Sequence, residues 1–266
     1  MTKSPLRPRS RGAAAAAAVA AVLTSFALAG SAALLGAGPA AAAAAAPHAR
    51  TTRMSSLHWV GYTFPVRHVT GVRAQWTEPR VTGKAGTEEF VWLGVGGWNQ
   101  AANNIIQDGT FAYFPPGGGR NEGVWYERVP INPEALFPLR PVVGPGDHIS
   151  SSITLLSSKT HRWRMTLTDL TTKVKWTRTF WFKSLEQFPS FVVEDPNDGP
   201  ASTSGPFFPF PRWRSVRFTA VGVRIRGAWT PAAKLPAYRI NMVRGRKTLA
   251  TAGAISKSSA FTVTQK

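Results

Sequence analysis

The chain has 266 residues, 32 of them Lys or Arg and 13 Asp or Glu, for a formal charge of +19. It has no cysteine, which excludes a disulfide scaffold and any thiolate metal site and leaves core burial to hold the fold. The positive charge is scattered, with no long basic block, so it reads first as a soluble, adhesive surface and second as an attraction to polyanions such as nucleic acid, membrane surfaces or an anionic wall polymer.

Residues 1–46 read as a cleaved secretory signal peptide, which makes the protein secreted and extracellular. Lys3, Arg7, Arg9 and Arg11 form a basic start, residues 13–37 an apolar run, and Ala-x-Ala sites follow between Ala40 and Ala46. A membrane anchor is the competing reading, because the run is long enough to span. It is mostly alanine, however, and Thr24, Ser25, Gly30 and Ser31 interrupt it. Residues 47–56 read as a short linker and 57–266 as one domain. Without the leader, 28 basic and 13 acidic residues remain, a charge of +15. About 220 residues suffice for a full core.

From there the pattern is β. In "HRWRMTLTDL" His161, Trp163, Met165 and Leu167 share one parity and Arg162, Arg164, Thr166 and Thr168 the other. "KVKWTRTFWF" alternates in the same way, so 160–182 predicts a hairpin. "SVRFTAVGVRI", "RINMV" and "SAFTVTQ" predict further strands, and "PPGGG", "GPGD" and "DPNDGP" punctuate them as turns. No segment after the leader carries a helical period with caps. Many short strands at this spacing indicate a large all-β sandwich or barrel.

The chemistry is sparse. The five histidines (His48, His58, His68, His148, His161) lack metal-ligand spacing, and no GxSxG or phosphate-binding loop occurs, so no metal or cofactor is expected. Most of the ten tryptophans belong in a core, and the rest could line a ligand groove. Gln107, in the apolar run "IIQDGT", is either an edge residue or a donor able to hold an oxyanion without titrating.

In order along the chain, "HWVGYTF" (58–64), "VTGVRAQWTEP" (69–79), "VWLGVGG" (91–97), "IIQDGT" (105–110), "VWYERVP" (124–130), "VGPGDHISSSI" (143–153), "FVVEDP" (191–196) and "WRSVRFT" (213–219) resemble the blocks of the eqolisins, or glutamic peptidases. The resemblance covers about 57–220 and implies two stacked antiparallel sheets, a curved sandwich of the concanavalin A-like lectin and glucanase type. It also implies a monomer with a groove for extended peptide, of the bacterial secreted kind. In the family a Glu activates water and a Gln amide holds the oxyanion, in acid. Gln107 falls at the Gln position, and Trp59 and Trp92 at groove aromatics. The Glu position is occupied by Ser190, and Gly96 stands where the family commonly has an Asp. A serine hydroxyl is no base in acid, so the resemblance implies an endopeptidase of impaired or absent activity. Two alternatives are a non-catalytic groove binder for peptide or polysaccharide, and a cationic protein associated with wall polymer or another polyanion. Glu186 and Glu194 share the parity of Ser190 in a regular strand, but each is four residues off, about 13 Å along it. Glu194 and Asp195 are expected to end the strand and shape the turn that follows.

Overall fold

The computed structural model describes residues 50–136, 143–196 and 209–266. The predicted leader (1–46), residues 47–49 of the predicted linker and residues 197–200 of the DPNDGP turn lie outside the described residues. Sixteen strands are described. They are β1 Thr51–Ser56, β2 Trp59–Thr63, β3 Val69–Thr77, β4 Thr87–Gly96, β5 Ile105–Phe114, β6 Asn121–Val129, β7 Asn132–Leu136, β8 His148–Ser157, β9 Arg162–Asp169, β10 Lys175–Trp181, β11 Pro189–Glu194, β12 Ser215–Ile225, β13 Ala228–Pro231, β14 Ala237–Arg244, β15 Lys247–Ala252 and β16 Phe261–Gln265. The described helical turns are two three-residue 3-10 segments.

The strands form one path, β10-β9-β8-β3-β12-β16-β15-β14-β2-β11-β4-β5-β6-β7, with β13 beside β12. All the pairings are antiparallel except that of β1 with β14. The path doubles over on itself, and the core lies between its two halves. From one half Val91, Leu93 and Phe191 point inward; from the other, Trp76, Ile153 and Met165 meet them. At the open edge Tyr126 stacks on Trp176 and Phe180, with ring centres 5.8 and 4.7 Å apart. Arg128 lies 4.5 Å over the Phe180 ring and donates to the Trp181 carbonyl at 3.0 Å. This closure joins β6 to β10. The predicted all-β sandwich is therefore the observed fold.

The two halves differ in their outer faces. Strands β8 and β9 alternate buried and solvent-facing residues, as one-sided strands do. The 160–182 hairpin sits here as predicted, paired from Arg162↔Trp181 to Thr168↔Lys175. Its outer face, with that of β3 and β12, carries Arg73, Arg162, Arg164, Lys175, Arg217 and Arg224, interleaved with Ser and Thr. No Asp or Glu faces outward on β3, β8, β9 or β12. By contrast β2, β4 and β11 are covered on both sides, and β5 is over most of its length. A second apolar cluster, built on Trp59, Trp92, Trp125, Phe90, Ile105 and Val192, covers their outer face.

Two sequence expectations change. Residues 51–56, read as linker, form β1 in register with Thr51↔Ala237 through Ser56↔Met242. Glu186 does not share a strand with Ser190, because β11 starts at Pro189 and Glu186 sits in a left-handed conformation (φ 52°) that breaks the alternation.

Candidate functional site

Antiparallel register aligns side chains in rows across a sheet. On the outer face of the doubly covered half, one row is polar. Thr63 pairs with Ser190, Ser190 with Gly94, Gly94 with Gln107, and Gln107 with Glu127. Adjacent strands are about 4.8 Å apart, so Ser190 and Gln107 stand about 10 Å apart across Gly94.

Gly94 keeps this space open. A methyl group there would meet the Gln107 Cβ at 2.8 Å and the Ile106 carbonyl oxygen at 2.9 Å. With no side chain on Gly94, groups at positions 190 and 107 can face each other over bare backbone. Gly96, one row on, has φ +113°, and a Cβ there would run into the Asn104 carbonyl. The backbone at this position therefore accepts only glycine.

Ser190 is fully buried. Its hydroxyl donates to the Phe188 carbonyl (3.1 Å), and the Thr63 hydroxyl, 2.9 Å away, reaches the Pro189 carbonyl at 3.3 Å. These protons end on carbonyl oxygens, and no imidazole or carboxylate among the described partners activates the serine. At the other end of the row the Gln107 amide donates to Glu127 Oε2 at 2.6 Å. Gln107 is 5% exposed and its side-chain oxygen is buried without a described partner. Its second N–H is the group that could hold an oxyanion. Glu127 is half-buried and open to solvent.

Trp59 and Trp92 form the floor one to two rows away. They meet edge to face with ring centres 4.9 Å apart, and Trp98 leans on Trp59 at 6.0 Å. The Trp92 indole donates to Glu194 Oε2 at 2.7 Å. Burial pushes the Glu194 carboxyl up to about 8; the two indoles pull it down, while Glu127 and Asp195 add repulsion. Glu194 is therefore a protonated acid in the acidic range. It ends β11 as expected, but it faces the aromatic floor instead of merely shaping a turn. Asp195, the next residue, turns inward and pairs with Arg244 at 2.6 Å. Burial lifts Asp195 to about 7 although Arg244 pulls it down.

Sequence reasoning placed Gln107, Ser190, Trp59 and Trp92, and the structure brings all four to one face. Glu127 was missed. Its only signal was its parity within "VWYERVP", and parity is silent on the register that sets it opposite Gln107. Among the described residues no three His, Asp or Glu side chains come together as a metal-binding group.

An antiparallel sandwich with a glutamine at the centre of a polar row above an aromatic floor defines a class, the β-sandwich of the glutamic peptidases. The chain belongs to the peptidase A4 family, which matches residues 57–265. In fold it is similar to scytalido-glutamic peptidase, solved with a transition state analog inhibitor, at 21% identity and a TM-score of 0.66, over 79% of this chain and 98% of that one. It is similar to SCP-B, a member of the eqolisin family solved with the tripeptide Ala-Ile-His, at 20% identity and 0.63, over 79% and 98%. Aspergilloglutamic peptidase from Aspergillus niger aligns at 21% and 0.55, over 68% and 99%. Comparison with curated proteins gives no match.

Proposed function

We propose that this peptidase-like protein is exported by its leader, works as a monomer in acid, and holds extended peptide over the polar row. Hydrolysis through the family's Glu position is lost. The observation that carries this reading is the row itself: Ser190 faces Gln107 across the bare backbone of Gly94, with its hydroxyl donating to the Phe188 carbonyl oxygen. A carboxylate at 190 would stand where a water between it and the Gln107 amide could attack a carbonyl. Serine offers no base there. General-base assistance is worth about 10²–10⁴-fold, so binding outlives most of the rate.

The test is Ser190→Glu. Unfolded protein is incubated with the wild type and the variant from pH 2 to 7, and binding and new termini are measured. The reading expects similar peptide binding and at least about 100-fold faster cleavage by the variant. Equal cleavage by both, abolished by Gln107→Ala, would remove the claim of impairment.

A second reading, compatible with the first, concerns the opposite side of the sandwich. Its acid-free outer face of Arg, Lys, Ser and Thr favours an anionic polymer such as a wall polymer. A recess there is bordered by Gln75, Thr77, His148, Arg217 and Thr219.

A further inference from the structure

The Gln107 amide has two neighbours in its row. Toward β11 it faces the sealed Ser190. Toward β6 it touches a carboxylate, Glu127, directly. We propose that Glu127 is the general base of this protein, so that the catalytic pair is Gln107–Glu127 and the reacting carbonyl lies over β5 and β6 instead of over β11 and β4. The inference rests on the peptide-groove reading and assigns the residual chemistry of that same site.

Three observations carry it. First, Glu127 Oε2 lies 2.6 Å from the Gln107 amide nitrogen, so donor and base already share one reaction volume. A carboxylate has about four acceptor sites and an amide two donors. The bond between them takes up one acceptor site of Glu127 and one of the two N–H groups of Gln107. Second, access differs. Ser190 is fully buried, whereas Glu127 is half-buried and reached by solvent, where an attacking water can bind. Third, Glu194, a further acid on this face, is unsuitable. Glu194 is held by the Trp92 indole two rows away, and Glu127 is among the charges that keep it protonated.

The step balances without a cofactor. A water on Glu127 attacks the peptide carbonyl carbon, and its proton passes to the carboxylate. The carbonyl π pair moves to oxygen, where the second Gln107 N–H holds it. Collapse re-forms the carbonyl and breaks the C–N bond, and Glu127 returns its proton to the leaving amine. The products are a carboxylic acid and an amine, and Glu127 is regenerated.

The full chain is assayed on an unfolded protein between pH 2 and 7, with peptide binding followed in parallel. Wild type is expected to cleave slowly. Glu127→Gln is expected to lose at least about 100-fold in kcat/KM, mostly in kcat, and to lose the acidic limb of the pH profile. The double variant Ser190→Glu, Glu127→Gln is expected to cleave, which shows that the substitution at 127 leaves the fold and Gln107 intact. Cleavage by Glu127→Gln at the wild-type rate overturns the proposal. So does a wild type that binds peptide and cleaves nothing while Ser190→Glu cleaves; that result leaves the groove reading standing. Absence of peptide binding in every variant overturns both.

Discussion

The polar row turns on Gly94, which has no freedom to gain a side chain. Gly94→Ala would press a methyl group against the Gln107 Cβ and the Ile106 carbonyl, both inside 3.0 Å. Strands β4 and β5 would have to separate or Gln107 would have to swing away. We expect a loss of about 1–3 kcal/mol in denaturant unfolding, as for other overpacked sites. A drop of at least 10-fold in cleavage by the Ser190→Glu protein carrying the same change should accompany it, because about 1 Å of misplacement costs that much or more. A variant with unchanged stability and cleavage would mean that the row is looser than its register implies. The residue scale is also where sequence was least informative. Ser190 and Gln107 could be located by their neighbours in the chain. Glu127 could not, because its meaning lies in the pairing 107↔127, and pairing between strands twenty residues apart is set by twist and turn length that no local pattern records.

Among the elements, the hairpin β9–β10 was legible because alternation over eight to ten residues is the signature of a one-sided strand. Strands β4 and β11 were harder. Covered on both faces, they read as continuous apolar runs, and only the resemblance said which parity faced the groove. Strand β1 was missed altogether, since "TTRMSS" alternates polar with weakly apolar residues and finds its partner far along the chain. The outer face of β3, β8, β9 and β12 leads to a measurable expectation. On it Arg73 pairs with Ser152 and Arg164 with Thr154, while Arg73 also lies 4.4 Å from the Trp229 ring centre. If this face holds a linear phosphodiester polymer, binding should weaken steeply with salt. Replacing Arg73 and Arg164 together with Gln should then lower the slope of log K against log salt by about 1–2. An unchanged slope would assign the attraction to net charge alone.

For the whole molecule, the dominant electrostatic fact is a set of buried acids in a cationic protein. Glu78 takes hydrogen bonds from Thr110 at 2.6 Å and Trp76 at 3.3 Å, yet burial still pushes its carboxyl up to about 8. Glu194 is likewise pushed to about 8, and burial holds Glu89 and Asp108 well above the ordinary range. The sign follows from which state binds the proton. Between the unfolded value near 4 and the folded value near 8 the native state keeps protons that the unfolded chain has lost, so the contribution is fully present below about pH 4 and gone above about pH 8. His58 works the other way. Burial and Arg244 lower it to about 4, so its contribution is lost as pH falls below the usual imidazole value. Several carboxyls outweigh one imidazole. The melting midpoint should therefore be about 5–10 °C higher at pH 4 than at pH 7.5, and Glu78→Gln should flatten the difference. A midpoint that rises toward neutrality would show that these acids ionise in the folded state. The fold class itself was plain in the sequence from strand spacing and turn residues. The doubling of one continuous path into two layers was not, because it depends on β16, β15 and β14 bridging the halves.

The parallel pairing of Thr51–Ser56 with Ala237–Met242 also sets the order of assembly. The first described strand has no place to dock until the chain beyond residue 236 exists, and Tyr238–Ile240 of β14 must also cover β2. Threads this distant in sequence close late and slowly. A nascent chain emerging from its N-terminus therefore stays open until residues 237–242 arrive, and a truncation at residue 236 would leave β1 unpaired.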